Sequence, residues 1–120
     1  MIEARFYQDH SGVIRAFEIS GHSGYAEAGK DIVCAGMSML AISLIGTLDE
    51  IIPNRFQYEV REDGYARCEL DKFESYSAEE KIQAATVMKT AYIGTVQAVD
   101  SYAKYIRMEM RDYLGGKEND

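Results

Sequence analysis

Residues 32–53 read IVCAGMSMLAISLIGTLDEIIP. Apolar side chains fall on nearly every face of a helical repeat from Ile32 to Leu48, so residues 32–50 predict a buried helix. Pro53 closes it, because the residue before a proline avoids helical geometry. Directly upstream lies GHSGYAEAGKD, residues 21–31, which contains Gly21, Gly24 and Gly29. This segment has no apolar period and reads as a loop, long for a compact domain. Loops of that kind often carry function.

Hairpins are expected on both sides of this core. Ile2, Ala4 and Phe6 alternate with Glu3, Arg5 and Tyr7, a strand period over residues 2–8. Asp9-His10-Ser11-Gly12 supplies turn chemistry, and Val13–Ser20 returns. Downstream, Phe56–Val60 and Tyr65–Leu70 flank Glu62-Asp63-Gly64. Ser77 and Glu80 have capping-box spacing and start a second helix. Its apolar stripe runs through Ile82, Ala85, Met88, Tyr92, Val96, Val99 and Ala103. Ile106, Met108 and Met110 alternate with Arg107, Glu109 and Arg111 as a last strand. The order β-β-α-β-β-α-β predicts a two-layer α+β fold, with two helices over one mixed or antiparallel sheet. Residues 1–114 are expected to form a single domain, and residues 115–120 a polar C-terminal tail.

Composition narrows the function classes. The chain has 120 residues, 47% of them apolar, enough for one core without staples. A net charge of −7 speaks against a nucleic-acid binder, which needs a basic face. It suits a basic protein partner, or serves solubility alone. Cys34 and Cys68 form neither a CxxC pair nor a disulfide framework. The N-terminal MIEARFYQDH lacks a signal-peptide core, and Ser, Gly and Thr with the closing Asp49-Glu50 argue against a membrane span at 32–48. A reducing cytoplasm is the expected setting.

Cys34 carries the chemistry. With Asp31 as N-cap, Cys34 is the third helical residue and faces the amides of the first turn, which favour a thiolate. The Asp31 carboxylate opposes that ionisation. A thiol that attacks a carbonyl also needs a base, and there are two histidines. His10 lies in a hairpin turn. His22 opens the loop that runs into the Cys34 helix, so folding of that loop brings the two together. The first-turn amides, that of Cys34 included, are the expected oxyanion donors. On the residues alone two readings stay open: Cys34 as nucleophile, or as a small buried hydrophobe. A zinc site from His10, His22, Cys34 and Cys68 matches no common ligand spacing. No metal or cofactor is expected, and Cys68 reads as a core residue of its strand.

The segment Gly21-His22-Ser23-Gly24-Tyr25-Ala26, followed by Gly29-Lys30-Asp31-Ile32-Val33-Cys34-Ala35 and Ser38, resembles the ribosomal-processing cysteine protease family of bacteria. That family carries GH and DIVCA blocks at this separation. The resemblance implies that Cys34 is the nucleophile and His22 the base. It makes Asp31, Gly21 and Ser38 supporting residues, and Ser23, Gly24, Tyr25, Gly29 and Lys30 a flexible substrate loop that assembles the pair on closure. It further implies a cysteine endopeptidase that removes the N-terminal extension of large-subunit ribosomal protein twenty-seven, cutting after an aromatic pair. A homodimer is implied as well, with Gly36, Ser43 and Gly46 offering a narrow helix face; those residues are expected to pack on the chain's own sheet instead. The competing reading is a non-enzymatic ribosome-assembly or ribosomal-protein-binding module.

Overall fold

The computed structural model describes residues 1–22, 24, 26–27 and 31–115. Strands β1 (Ile2–Gln8) and β2 (Ile14–Ser20) form the first hairpin. Its turn is held by the Asp9 carboxylate, which accepts from the Ser11 and Val13 amides at 2.9 and 3.1 Å. Helix α1 (Ile32–Ile51) follows, then β3 (Gln57–Arg61), β4 (Tyr65–Glu69), a 3-10 turn at Phe73–Ser75, α2 (Ala78–Tyr102) and β5 (Ile106–Asp112). The capping box at Ser77 and Glu80 forms reciprocally, as the sequence spacing predicts. The expected order of elements is present, with ends moved by a residue or so.

The five strands lie in the order β3-β4-β2-β1-β5. All neighbours are antiparallel except β1 and β5, so the sheet is mixed. Alternation sorts the side chains onto two faces. Ile2, Ala4, Phe6, Phe17, Ile19, Ala66, Cys68 and Ile106 join the core beneath the helices. The opposite face is charged: Arg5 pairs with Glu18 at 3.0 Å and Glu109 at 3.3 Å, and Arg67 pairs with Glu69 at 2.7 Å.

Expectations about both helices need correction. Helix α1 is not buried all round. Val33, Met37, Ala41, Leu44, Ile45 and Leu48 enter the core, while Ile32, Met39 and Ile42 are exposed. The helix packs on α2 and β4, and the edge strand β3 is exposed along its whole length, so among the described residues no element covers the helix's outer side. Gly36 and Gly46 are exposed, and among the described residues nothing beyond the helix's own backbone and their chain neighbours comes within 4 Å of an added Cβ; they do not pack on the sheet. By length and composition alone α1 is also long and apolar enough to cross a membrane, contrary to the sequence expectation. Its buried stripe belongs to the same core as the sheet. In α2 the buried stripe is Ala84, Met88, Ala91 and Thr95, and Ile82 is 70% exposed. Small residues win this face because α1 lies close: a Cβ on Gly94 would meet Leu40 at 3.0 Å. The expected polar tail begins at Gly115; residues 116–120 lie outside the described residues.

Candidate active site

The site forms where β2 ends, α1 begins and the β3–β4 turn closes. Asp31 caps α1 in an extended conformation, and its carboxylate accepts from the Cys34 amide at 2.9 Å. The cap fixes the start of the helix and so the height of Cys34 above the sheet. His22 stands two residues beyond β2. Its Nδ1 lies 3.7 Å from Cys34 Sγ. The structure thus sets the thiol beside the imidazole. His10 lies in the turn at the other end of β2 and takes no part.

The cap bears on the chemistry in two ways. It occupies the Cys34 N–H, which corrects the expectation that this amide is available as an oxyanion donor. It also places a carboxylate beside the thiol. Desolvation by burial and the Asp31 charge together push the Cys34 pKa above its ordinary value, and a hydrogen bond with Ser38 pulls the other way. Ser38 follows Cys34 by one helical turn, which places both on one face.

A cleft of ≈ 320 Å³ opens beside the pair, lined by both of them and Ser38. Its walls are largely apolar, with Ile19, Met37, Ile42, Val60 and Ala66, while Arg61, Glu62 and Tyr65 bring polar groups. Met37 and Ile42 share the helical face of Cys34 and Ser38, and that spacing was available to find them. Val60, Glu62, Gly64 and Tyr65 enter through the second hairpin, and no local motif marks them. A second opening, of ≈ 440 Å³, joins His22, Gly24, Asp31, Cys34, Ser38 and Glu62. The other expected loop residues, Ser23, Tyr25, Gly29 and Lys30, lie outside the described residues. Gly21 is described, with φ +95°; a Cβ there would meet the Met1 carbonyl oxygen at 2.5 Å, so glycine is required. Cys68 is wholly buried in β4, and desolvation pushes its thiol up to about 12. Among the described residues, no three His, Cys, Asp or Glu side chains gather to hold a metal ion.

The family model described as cysteine protease Prp matches residues 1–107. The chain belongs to this family. The ribosomal processing cysteine protease Prp of Bacillus subtilis is 31% identical over 64 residues, 53% of this chain and 57% of that protein's length. Among solved structures, the essential ribosomal processing protease Prp of S. aureus, with a covalently linked product peptide, superposes at TM-score 0.78 and 19% identity. The match covers 92% of this chain and all of that one. A Streptococcus mutans protein aligns at TM-score 0.72 and 22% identity, over 94% of this chain and 96% of its own. At those identities the superpositions speak for the Prp fold, two helices over a mixed sheet.

Proposed function

We propose that this chain is a cysteine endopeptidase in which Cys34 is the nucleophile and His22 the general base and acid. The observation that carries the reading is the 3.7 Å separation of Cys34 Sγ and His22 Nδ1 at the mouth of an apolar cleft. Nδ1 takes the Sγ proton as sulfur attacks the scissile carbonyl carbon. The tetrahedral adduct collapses, the C–N bond breaks, and the departing amine receives that proton from Nδ1. Water then attacks the thioester, giving its proton to Nδ1. The acid product leaves, and the proton returns to Sγ.

The substrate in this reading is the N-terminal extension of large-subunit ribosomal protein twenty-seven, cut after an aromatic pair. Support comes from the family, from the S. aureus relative crystallised with a substrate peptide, and from cleft walls suited to a large apolar side chain. The chain's acidity suits a basic substrate. Residues 1–114 are taken as one domain acting in the cytoplasm, where both free thiols stay reduced. A homodimer belongs to the same reading, and the open apolar side of α1 around Ile32 and Met39 is the face offered to it.

Incubating the protein with a peptide spanning that extension, with products read by mass spectrometry, tests the reading. Cleavage that vanishes in Cys34→Ala while peptide binding persists supports it. Cleavage retained by Cys34→Ala overturns it. Binding with no cleavage by the wild type favours the non-enzymatic module.

A further inference from the structure

The sheet order gives His22 a seat. Strand β2 lies between β1 and β4, and Gly21 is the first residue beyond its end. On one side of Gly21 stands the start of β1, where an added Cβ would meet the Met1 carbonyl oxygen at 2.5 Å. On the other side stands Gly64, the last residue of the β3–β4 turn, at φ +84°. A Cβ on Gly64 would lie 2.7 Å from the Gly21 carbonyl oxygen and 3.2 Å from His22 Cε1. Gly21 cannot retreat from such a side chain, because Met1 backs it. The imidazole thus lies beside the space that a Gly64 side chain would take, and its Nδ1 stands 3.7 Å from Cys34 Sγ.

We propose that Gly64 is a positioning residue for His22: its missing side chain lets the imidazole settle within reach of the Cys34 thiol. The inference rests on the Cys34–His22 reading above. A Cβ at Gly64 makes the ring give by a few tenths of an ångström and crowds the Gly21 carbonyl from which the His22 backbone continues. Since a misplacement of ~1 Å in a catalytic group costs on the order of 10²-fold, this smaller shift costs on the order of tenfold. The loss falls on kcat; because Gly64 also lines the cleft, an NMR contact between Gly64 and His22, together with the double variant with His22→Ala, separates a shifted imidazole from an altered substrate contact.

Gly12 supplies the control. It has φ +94° in the β1–β2 turn and nothing within 4 Å of an added Cβ. Gly12→Ala therefore carries the same kind of backbone strain with no contact to His22. Peptide cleavage and thermal melting are measured for Gly64→Ala, Gly64→Asn (a residue more tolerant of positive φ), Gly12→Ala, His22→Ala and the Gly64→Ala/His22→Ala double variant. The wild type is examined by NMR for a nuclear Overhauser contact between Gly64 Hα and His22 Hε1. The expected result is that contact, a kcat loss of at least about tenfold in both Gly64 variants, no such loss in Gly12→Ala, and no further loss from Gly64→Ala once His22 is gone. The inference is overturned if the NMR contact is absent, if either Gly64 variant folds and keeps full kcat, or if Gly12→Ala loses as much. If His22→Ala keeps full kcat, the dyad reading and this inference fall together. Loss in His22→Ala with none in the Gly64 variants sinks this inference alone.

Discussion

Asp31 holds the backbone of Cys34 and repels the charge on its side chain. The carboxylate accepts the Cys34 N–H at 2.9 Å, and its field raises the thiol pKa. The two effects separate by substitution. Asn is as good an N-cap as Asp but carries no charge. Asp31→Asn should therefore keep its melting temperature near wild type and move the pH midpoint of Cys34 alkylation by iodoacetamide downward. Asp31→Ala should also lose the cap, at about 1 kcal/mol of stability. A midpoint that stays put in Asp31→Asn would show that burial alone sets the thiol pKa.

Ser38 acts in the opposite direction. Its hydroxyl hydrogen-bonds to the Cys34 sulfur and lowers that pKa. In Ser38→Ala the alkylation midpoint should rise, and cleavage at neutral pH should slow relative to cleavage in alkaline buffer. Ser38 is exposed, so stability should change by no more than about 0.5 kcal/mol. An unchanged pH profile would leave Ser38 as a helix residue of no special consequence.

The difference between what the sequence disclosed and what it hid follows from the range of the interactions involved. Ser77 and Glu80 satisfy each other's backbone within four residues, so the start of α2 is written locally and forms as written. The alternation in β1 and β5 likewise names the strands and their buried faces. Their parallel pairing depends on how α2 crosses the sheet, which no short pattern encodes. The open side of α1 was hidden for a similar reason: Ile32, Met39 and Ile42 are as apolar as the residues beneath them. Only the layout of the sheet leaves them uncovered. At the site, the GH and DIVCA blocks marked His22, Asp31 and Cys34, and the structure brings these three together. Gly64 reads from sequence as an ordinary turn glycine. Its contact with His22 appears only once β4 is placed beside β2.

The second cysteine should be silent chemically and costly to replace. Cys68 is fully buried, and desolvation pushes its thiol up to about 12. Iodoacetamide should modify the native protein at Cys34 alone. Cys68→Ser places a hydroxyl among apolar neighbours at a cost of about 1–3 kcal/mol. Its melting temperature should fall while kcat of the folded fraction stays at the wild-type value. Modification of Cys68 in the native state, or a lost kcat with normal stability, would contradict this assignment.

Acid should unfold the protein partly through Glu80. Hydrogen bonds from Arg55 and from the Ser77 backbone hold its carboxyl at about 2, against an ordinary 4.5. The folded value lies below the unfolded one. The stabilisation is therefore complete above about 4.5 and is lost as the pH falls toward about 2. Glu80→Gln removes the charge that pairs with Arg55, the residue that ties the start of α2 to the segment after α1. Its melting temperature should lie below wild type at neutral pH. The gap should narrow as the pH drops through that window and close near its lower end. Thermal melts of both proteins across the acid range check this. A gap that stays constant with pH would mean that Glu80 contributes as a neutral capping residue and that its charge adds nothing.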